Sequence, residues 1–243
     1  MFKNYFLPLF ILSISFTTFS QDYSEEKIYS WYDKQVGIEN SVLFTGIEYV
    51  ETDRMINEKH KFFQTRDFQN GSVNYDGQVF YNVPLKYNIY DDLLLVNLQL
   101  EQRNLIFQLI GERVNLFKIN NHTFKYLKAE NNTNIRGYYE VINDEGKFKV
   151  FKKHLKNKME VRDRNVAYNE FSTADSDYIF KVENDFFELN NRRDLYSMFP
   201  NLKDAIRSFY NANRKQFRDK PDVFMNKLAA EMNNLISTTS TEI

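Results

Sequence analysis

The chain has no cysteine and little glycine or proline, and each shortage narrows what the protein can be. Without cysteine there are no disulfides, no thiolate ligands for zinc and no cysteine that could carry a lipid after export. A folded domain of this composition must therefore rely on its hydrophobic core for stability. The 7 glycines and 4 prolines among 243 residues include no Pro-, Gly- or Ser-rich linker that would divide the chain.

An excess of charge of either sign is also missing. The chain has 32 Lys and Arg against 33 Asp and Glu, which gives a net charge of −1 with neutral histidines. Domains that bind nucleic acid usually carry a clear basic excess, so we expect no nucleic acid partner. Aromatic residues are plentiful instead, with 16 Tyr and 23 Phe, and this composition favours a strand-rich domain.

The first twenty residues have the layout of a signal peptide. Lys3 supplies the positive charge, residues 5–16 are mostly apolar, and Thr18 and Ser20 are small residues before Gln21. The apolar stretch is shorter than the roughly 20 residues that span a bilayer, and no later stretch is long enough. We expect cleavage near Ser20-Gln21, a periplasmic or secreted location and no transmembrane segment in the mature chain. The alternatives are an uncleaved anchor and a buried core helix.

From residue 41 to residue 189 the pattern is typical of strands. Asp76-Gly77 between β-type runs at 71–75 and 78–83 predicts a hairpin, because both turn positions need a positive φ. Pro84 has no N–H to donate and predicts a strand end or an edge. Links of two to four polar residues predict antiparallel neighbours. The other predicted strands are 42–50, 59–65, 85–90, 93–98, 105–110, 113–119, 123–127, 138–142, 147–151, 178–182 and 186–189, whereas 155–177 is either an irregular loop or a weak strand pair.

At residue 190 the apolar period changes to that of helices. Asn190 or Asn191 is the predicted N-cap, Pro200 breaks or restarts the helix, and Pro221 suits a first helical turn. Helices of this length are marginal alone in water, so we expect them to dock on the sheet, or alternatively on a partner protein. Their apolar stripes are Leu202, Ala205, Ile206 and Phe209, and then Phe224, Leu228, Met232 and Leu235.

The predicted fold class is α+β, because a run of strands is followed by a run of helices. We expect an antiparallel β-meander, roll or partly closed barrel followed by two or three C-terminal α-helices. The expected organisation is a signal peptide (1–20), a lead-in segment with a short helix (21–40), a β-rich domain (41–189), a helical segment packed on it (190–237) and a tail (238–243).

Residues that could carry chemistry form no recognisable constellation. The three histidines, His60, His122 and His154, are not spaced as a zinc motif, and His122 is expected to be exposed in a turn. Sequences such as G-x-S-x-G and the P-loop are absent. We therefore assign no catalytic, cofactor-binding or metal-binding residue and expect no cofactor. The carboxylates that could act as a catalytic pair all lie in or beside predicted turns, where such residues bond nearby backbone: Asp91, Asp92, Asp175, Asp177 and Glu183.

A basic stretch covers residues 147–158. We interpret it as a solvated sheet face or as an edge that lysines protect from aggregation. The alternative is a contact for an acidic surface or an anionic lipid headgroup. The lysines concerned are Lys147, Lys149, Lys152, Lys153, Lys156 and Lys158.

Five short stretches carry a resemblance. They are residues 71–78 (GSVNYDGQ), 82–87 (NVPLKY), 109–114 (LIGERV), 146–150 (GKFKV) and 195–203 (LYSMFPNLK). In these stretches the chain resembles a group of exported proteins found in Bacteroidota. The resemblance spans most of the mature chain and implies an envelope or secreted location and a single architecture. It implies no activity and no catalytic residue.

The function that we expect is non-enzymatic. The sequence favours an exported cell-envelope or secreted protein that acts as a binding or scaffolding module, with another envelope protein as its partner. One alternative is a β-barrel-type binder of a small ligand or lipid, which the many strands and aromatic residues suggest. A less favoured alternative is a hydrolase that uses carboxylates.

Overall fold

The computed structural model describes residues 25–37, 41–100, 103–132, 134–164 and 166–239. The predicted signal peptide and its cleavage site lie outside these residues, as does most of the predicted tail. Within the described ranges no helix is both long and apolar enough to cross a lipid bilayer.

The described residues form the following elements. The strands are β1 (Ile47–Glu48), β2 (Gln69–Tyr75), β3 (Gln78–Asn88), β4 (Leu93–Leu100), β5 (Arg103–Gln108), β6 (Val114–Ile119), β7 (His122–Lys128), β8 (Arg136–Asn143), β9 (Phe148–Lys153), β10 (Lys156–Asp163), β11 (Val166–Thr173), β12 (Asp177–Val182) and β13 (Asp185–Glu188). The α-helices are α1 (Glu25–Val36), α2 (Arg192–Met198), α3 (Lys203–Ala212), α4 (Arg214–Asp219) and α5 (Pro221–Thr239).

One large antiparallel sheet dominates the fold, and the predicted fold class is confirmed. Its strand order is β1-β5-β4-β3-β2-β6-β7-β8-β9-β12-β13, so β1 and β13 are its edges and the sheet is not closed. The strands β10 and β11 form a separate hairpin. The order is not a simple meander, since β6 pairs with β2 rather than with β5. Short polar links favour pairing of strands that are neighbours in sequence, so the three non-sequential pairings, β1–β5, β2–β6 and β9–β12, depend on tertiary structure.

The sheet is rolled, so that the turn between β3 and β4 reaches β8. The Asp92 carboxylate in this turn accepts the backbone N–H of Tyr138 at 3.2 Å and the hydroxyl of Tyr87 at 2.8 Å. It also forms an ion pair with Lys153 at 2.8 Å. Since β3, β2, β6 and β7 separate β4 from β8 in the strand order, this contact requires a curved sheet. The turn residue Asp92 therefore fixes the roll.

Side chains fill the inside of the roll. The rings of Phe117 and Phe124 stack at 4.7 Å, and Tyr87 and Tyr138 meet Phe117 edge-on. All four side chains are essentially inaccessible to solvent. Aromatic pairs of this kind add about 0.5–1.5 kcal/mol each beyond the area that they bury. The interior of the roll is thus the first of two main cores.

The C-terminal helices build the second core on the same sheet. They pack against β8, β9, β12 and β13, where Phe148 and Phe180 stack at 5.1 Å and are fully buried. The helices contribute Leu195, Ile206, Tyr210, Phe224, Met225, Leu228, Ala229 and Met232. The apolar stripes of the sequence therefore face the sheet. As the sequence indicated, Asn191 caps α2, with Asp194 completing a capping box.

Two predicted strands are mostly absent. In the segment 42–50, Val42–Thr45 forms a 3₁₀ turn, because Leu43 is drawn into the first core and the Thr45 hydroxyl bonds the Val42 carbonyl at 2.7 Å. In the segment 59–65 the backbone is irregular, and Gln64 has a φ of 56°. Bonds to the end of β3 replace a regular ladder there, with the Phe63 N–H donating to the Tyr87 carbonyl at 2.8 Å.

One strand boundary also differs from the prediction. Pro84 lies inside β3 rather than at its end, and pairs with Asn70. Its missing N–H is tolerated because β4 pairs with β3 only from Leu85 onward, which leaves one side of the strand open at Pro84.

For residues 155–177 the sequence left a choice between an irregular loop and a weak strand pair, and the strand pair is correct. The strands β10 and β11 are both long. Their pattern is weak because most of their side chains are not buried.

The predicted hairpin is confirmed, with Asp76 at φ 50° and Gly77 at φ 80°. We expect Gly77→Val to lower the free energy of unfolding by roughly 1 kcal/mol or more, since a β-branched residue is strained at positive φ. A Cβ at Gly77 would meet no atom within 4 Å, so the whole cost lies in the backbone. Urea unfolding measures it, with Gly77→Asn as the control that tolerates this φ. Equal stability of the two variants would contradict the prediction.

Candidate ligand-binding groove

A polar cluster separates the two cores. Along one face of β8, Tyr138 belongs to the first core, Ile142 packs on the second, and Glu140 lies between them. Glu140 is only 8 % exposed. Its Oε1 lies 2.5 Å from Nδ1 of His122, and its Oε2 lies 2.6 Å from Nε2 of His154. We call these three residues the His–Glu–His cluster.

The structure places His122 differently from the sequence-based expectation. His122 was expected to be exposed, but its side chain is about two-thirds buried and bonded to Glu140. The Phe63 ring lies between the two imidazoles, with centroids 5.0 Å from His122 and 5.2 Å from His154. His60 is buried elsewhere, where its Nδ1 accepts the N–H of Phe62 at 3.2 Å. Sequence spacing gave no signal for the cluster, because β7, β8 and the residue after β9 supply its members.

Electrostatics favour a charged carboxylate in this cluster. Burial alone raises the pKa of Glu140, but the hydrogen bonds from His154 and His122 outweigh it and hold the pKa below its usual range. Glu140 therefore stays ionised at neutral pH. Both of its oxygens are occupied, so the carboxylate orients the two imidazoles and has no obvious capacity left for a ligand.

A second group of polar side chains lies next to the His–Glu–His cluster, on β9 and β12. Glu140 is the cross-strand partner of Lys152, which in turn pairs with Tyr178. Asp222, in the first turn of α5, accepts the Tyr178 hydroxyl and forms an ion pair with Lys152 at 2.8 Å. Burial and this bond raise the pKa of Tyr178 well above its usual range. The phenol is therefore a stable hydrogen-bond donor and a poor base or nucleophile.

A groove opens at this point between the sheet and the C-terminal helices. Its first part has a volume of about 590 Å³, with Lys152, Tyr178 and Pro221 in its wall. Its second part has a volume of about 610 Å³. The two parts adjoin, because both are lined by Asn190, Asn191, Arg192, Tyr210 and Phe217. Ligand sites commonly enclose about 300–1,000 Å³, so the groove has a suitable size.

The helical residues of the groove are placed by local signals. The Asn191 cap starts α2, which sets Arg192 at its first position. The turn at Asn213 separates α3 from α4 and carries Tyr210 and Phe217 to the same wall, with ring centroids 5.7 Å apart. Sequence reasoning missed these residues. Their types are common on helices, and only the packing of three helices brings them together.

Of the carboxylates singled out from the sequence, only Asp175 and Asp177 line the groove. Asp91 lies in the β3–β4 turn and accepts the Asn88 amide at 2.7 Å, and Asp92 fixes the roll. Asp175 and Asp177 line the first part of the groove. Glu183 lies in the β12–β13 turn at φ 55°. Asp91, Asp92 and Glu183 lie in turns as expected, but the carboxylates of Asp91 and Asp92 also bond residues that are distant in sequence.

Asp91 also belongs to a buried ion cluster. The Lys61 side chain is 2 % exposed, and its Nζ lies 2.6 Å from Asp53, 2.9 Å from Glu51 and 3.1 Å from Asp91. Burial lowers the pKa of Lys61, but the three carboxylates more than reverse this and raise it. Through these ion pairs, Lys61 links the irregular segment before β2 to the β3–β4 turn.

The basic stretch is not an open charged face. Lys149 pairs with Asp144 at 2.9 Å, Lys153 with Asp92 at 2.8 Å, and Lys158 with Asp53 at 2.5 Å. Lys152 and Lys153 are also largely buried. The interpretation as a solvated face was therefore wrong for Lys152 and Lys153, whereas Lys158 is exposed on β10.

Comparisons with known proteins add no relative. No family model matches the chain, and no curated protein or solved structure was found to be similar to it. In the part of the chain that the structure describes, no group of three or more His, Cys, Asp or Glu side chains is arranged to hold a metal ion.

Proposed function

We propose that this protein is an exported, non-enzymatic binding module whose ligand occupies the groove between the β9–β12 face and the C-terminal helices. The observation that carries the proposal is the groove itself. It adjoins the second core, has two connected parts of about 600 Å³ each and mixes aromatic, amide, basic and acidic groups. A concave site with a few polar groups on an otherwise packed scaffold is the usual form of a small-ligand site.

The state of the polar groups supports binding over catalysis. Lys152, Tyr178 and Asp222 are bonded to one another, so none is left as a free base or nucleophile. A catalytic group usually has a pKa tuned toward the working pH, whereas that of Tyr178 is raised away from it. The interior of the roll is filled with side chains, which favours the groove over a barrel-type cavity as the ligand site.

The proposal of export rests on the N-terminal sequence. The charge at Lys3, the apolar residues 5–16 and the small residues before Gln21 are those of a signal peptide. An exported module without cysteine forms no disulfides, so an oxidising compartment does not change its covalent structure. We infer that the protein works in the cell envelope or outside the cell.

The groove is tested by NMR mapping with a fragment library that contains neutral and charged compounds. We expect the largest backbone shift changes at residues that line the groove, such as Ser176, Tyr210 and Phe217. Ser176→Trp should fill the groove and reduce fragment binding at least tenfold. Ser172→Trp is the control, because Ser172 is exposed on β11 and does not line the groove.

Two results would contradict the proposed function. One is a set of shift changes that cluster away from the groove, or no binding of any fragment. The other is equal loss of binding in Ser176→Trp and Ser172→Trp, which would indicate a general effect of an added indole.

A further inference from the structure

We propose that the ligand of the groove is an anion that carries a ring with an apolar face, with its oxyanion held by Arg192, Arg214 and the Tyr210 hydroxyl and its ring placed on Phe217. This inference rests on the proposed function, since it names the chemistry of the same groove. All four residues line the second part of the groove.

The side chains that line this part of the groove carry two positive charges, and the Asp194 carboxylate lies near enough to act on Tyr210. Its lining consists of Asn190, Asn191, Arg192, Tyr210, Asn211, Arg214 and Phe217, with no carboxylate. Within the described residues, neither Arg192 nor Arg214 has an acidic group within salt-bridge distance, in contrast to the paired Lys149, Lys152 and Lys153. Two guanidinium groups on one concave wall are suited to an oxyanion, which arginine binds through a planar fork of donors.

Tyr210 adds a hydrogen-bond donor to the same wall. The residue is 9 % exposed, yet it lines both parts of the groove. Its hydroxyl makes no hydrogen bond within the described part of the chain and is not an enclosed atom, so it can bond to water or to a ligand. Burial raises the pKa of Tyr210 above its usual range, so the hydroxyl remains a donor at any physiological pH. The accessible hydroxyl can therefore donate to an oxygen of a ligand that enters beside Arg192.

Phe217 supplies the apolar part of the site. Its ring packs on Tyr210 at 5.7 Å and edge-on to Phe224 at 4.9 Å, which fixes its orientation. The residue is nevertheless 45 % exposed. A fixed ring with an open face binds another flat ring by offset stacking, or the C–H face of a sugar ring, because its π-face is electron-rich. The ligand therefore combines an oxyanion with a ring that has an apolar face, as an aromatic acid or an acidic sugar does.

The experiment titrates the protein with two matched pairs by isothermal calorimetry and NMR. Benzoate is compared with benzamide, and glucuronate with glucose, while inorganic phosphate tests an anion without a ring. In at least one pair we expect the acid to bind at least tenfold more tightly than its neutral partner, with shift changes at Tyr210 and Phe217. The pair that shows this preference identifies an aromatic acid or an acidic sugar as the source of the anion.

Variants then test the residues. Arg192→Gln and Arg214→Gln should each weaken binding of the acid about tenfold, and Tyr210→Phe should weaken it several-fold. Arg193→Gln is the matched control, since Arg193 adjoins Arg192 but does not line the groove. Binding by Arg193→Gln should equal that of the wild type.

The outcomes separate this inference from the proposed function. Equal binding of acids and neutral partners in the groove would overturn the anion assignment and leave the groove as a binding site. Phosphate that binds as tightly as the ring acids would overturn the role of Phe217. If none of these probes binds while other fragments occupy the groove, the ligand class is wrong. If no compound of any kind binds there, both proposals fail.

Discussion

Truncation after Leu189 should abolish cooperative unfolding and cause aggregation. The deletion removes α2–α5 and uncovers Phe148, Val150 and Phe180, which are fully buried in the intact protein. Burial of one such side chain stabilises by about 1.5–3 kcal/mol, and several helical side chains lose their burial at the same time. The sum is comparable to the 5–15 kcal/mol that typically stabilises a whole domain. Circular dichroism during thermal unfolding and light scattering measure the two effects.

Two further variants keep this prediction testable if the truncated chain cannot be purified. Truncation after Thr239 leaves α5 whole and should unfold as the full chain does. Phe224→Ala removes a ring that is fully buried between α5 and its neighbours, and it should cost about 3–5 kcal/mol. A truncated protein that stays monomeric and melts as before would show that the helices are not part of the core.

Loss of the Glu140 carboxylate should have the second largest effect. We expect Glu140→Ala to lower the free energy of unfolding by about 2 kcal/mol or more at pH 7, since both imidazoles lose their partner in a largely buried site. The carboxylate is 8 % exposed and accepts from His122 at 2.5 Å and from His154 at 2.6 Å. Urea unfolding of the variant and the wild type measures the loss.

The same substitution should show a defined pH dependence. The pKa of Glu140 in the folded protein lies below its usual range, so the unfolded chain binds the proton more tightly than the folded one. The stability that it contributes is therefore complete above the unfolded pKa of about 4.3 and is lost as the pH falls through the lower, folded pKa. The gap between wild type and Glu140→Ala should narrow from pH 6 to pH 3.

Glu145→Ala is the control for this experiment. Glu145 lies in the exposed turn between β8 and β9, and its carboxylate forms no ion pair in the described residues. Its replacement should change stability by less than about 0.5 kcal/mol at both pH values. A gap for Glu140→Ala that stays constant down to pH 3 would show that the carboxylate is not held ionised by the histidines.

Features that depend on a few adjacent residues were predictable from the sequence. Asp76-Gly77 needs positive φ at both positions, and the structure has it there. Asn191 with Asp194 is a local cap, and it starts α2. The 3.6-residue spacing of Ile206 and Phe209 placed one face of α3 on the sheet. In each case the signal lies in residues that are close in sequence, so the pattern can be recognised without knowledge of the fold.

The candidate site was not predictable in the same way. The His–Glu–His cluster joins β7, β8 and the residue after β9, and nothing in the spacing of His122, Glu140 and His154 marks it. Arg192, Tyr210 and Arg214 come from three helices. Residues 59–65 read as a strand, yet the buried Lys61 and its carboxylates hold them in an irregular path. Desolvated charges and shared cavities depend on which distant segments meet.

The sequence by itself determined that a run of strands precedes a run of helices along the chain. It also determined turns, caps and apolar faces, because each follows from backbone preference and periodicity. Tertiary structure alone decided that β6 pairs with β2 and that Asp92 closes the roll against β8. It also decided that the helices leave a groove lined by two unpaired arginines. The physical reason is that long-range pairing is chosen by the total burial and electrostatic energy of many contacts, to which no single local pattern corresponds.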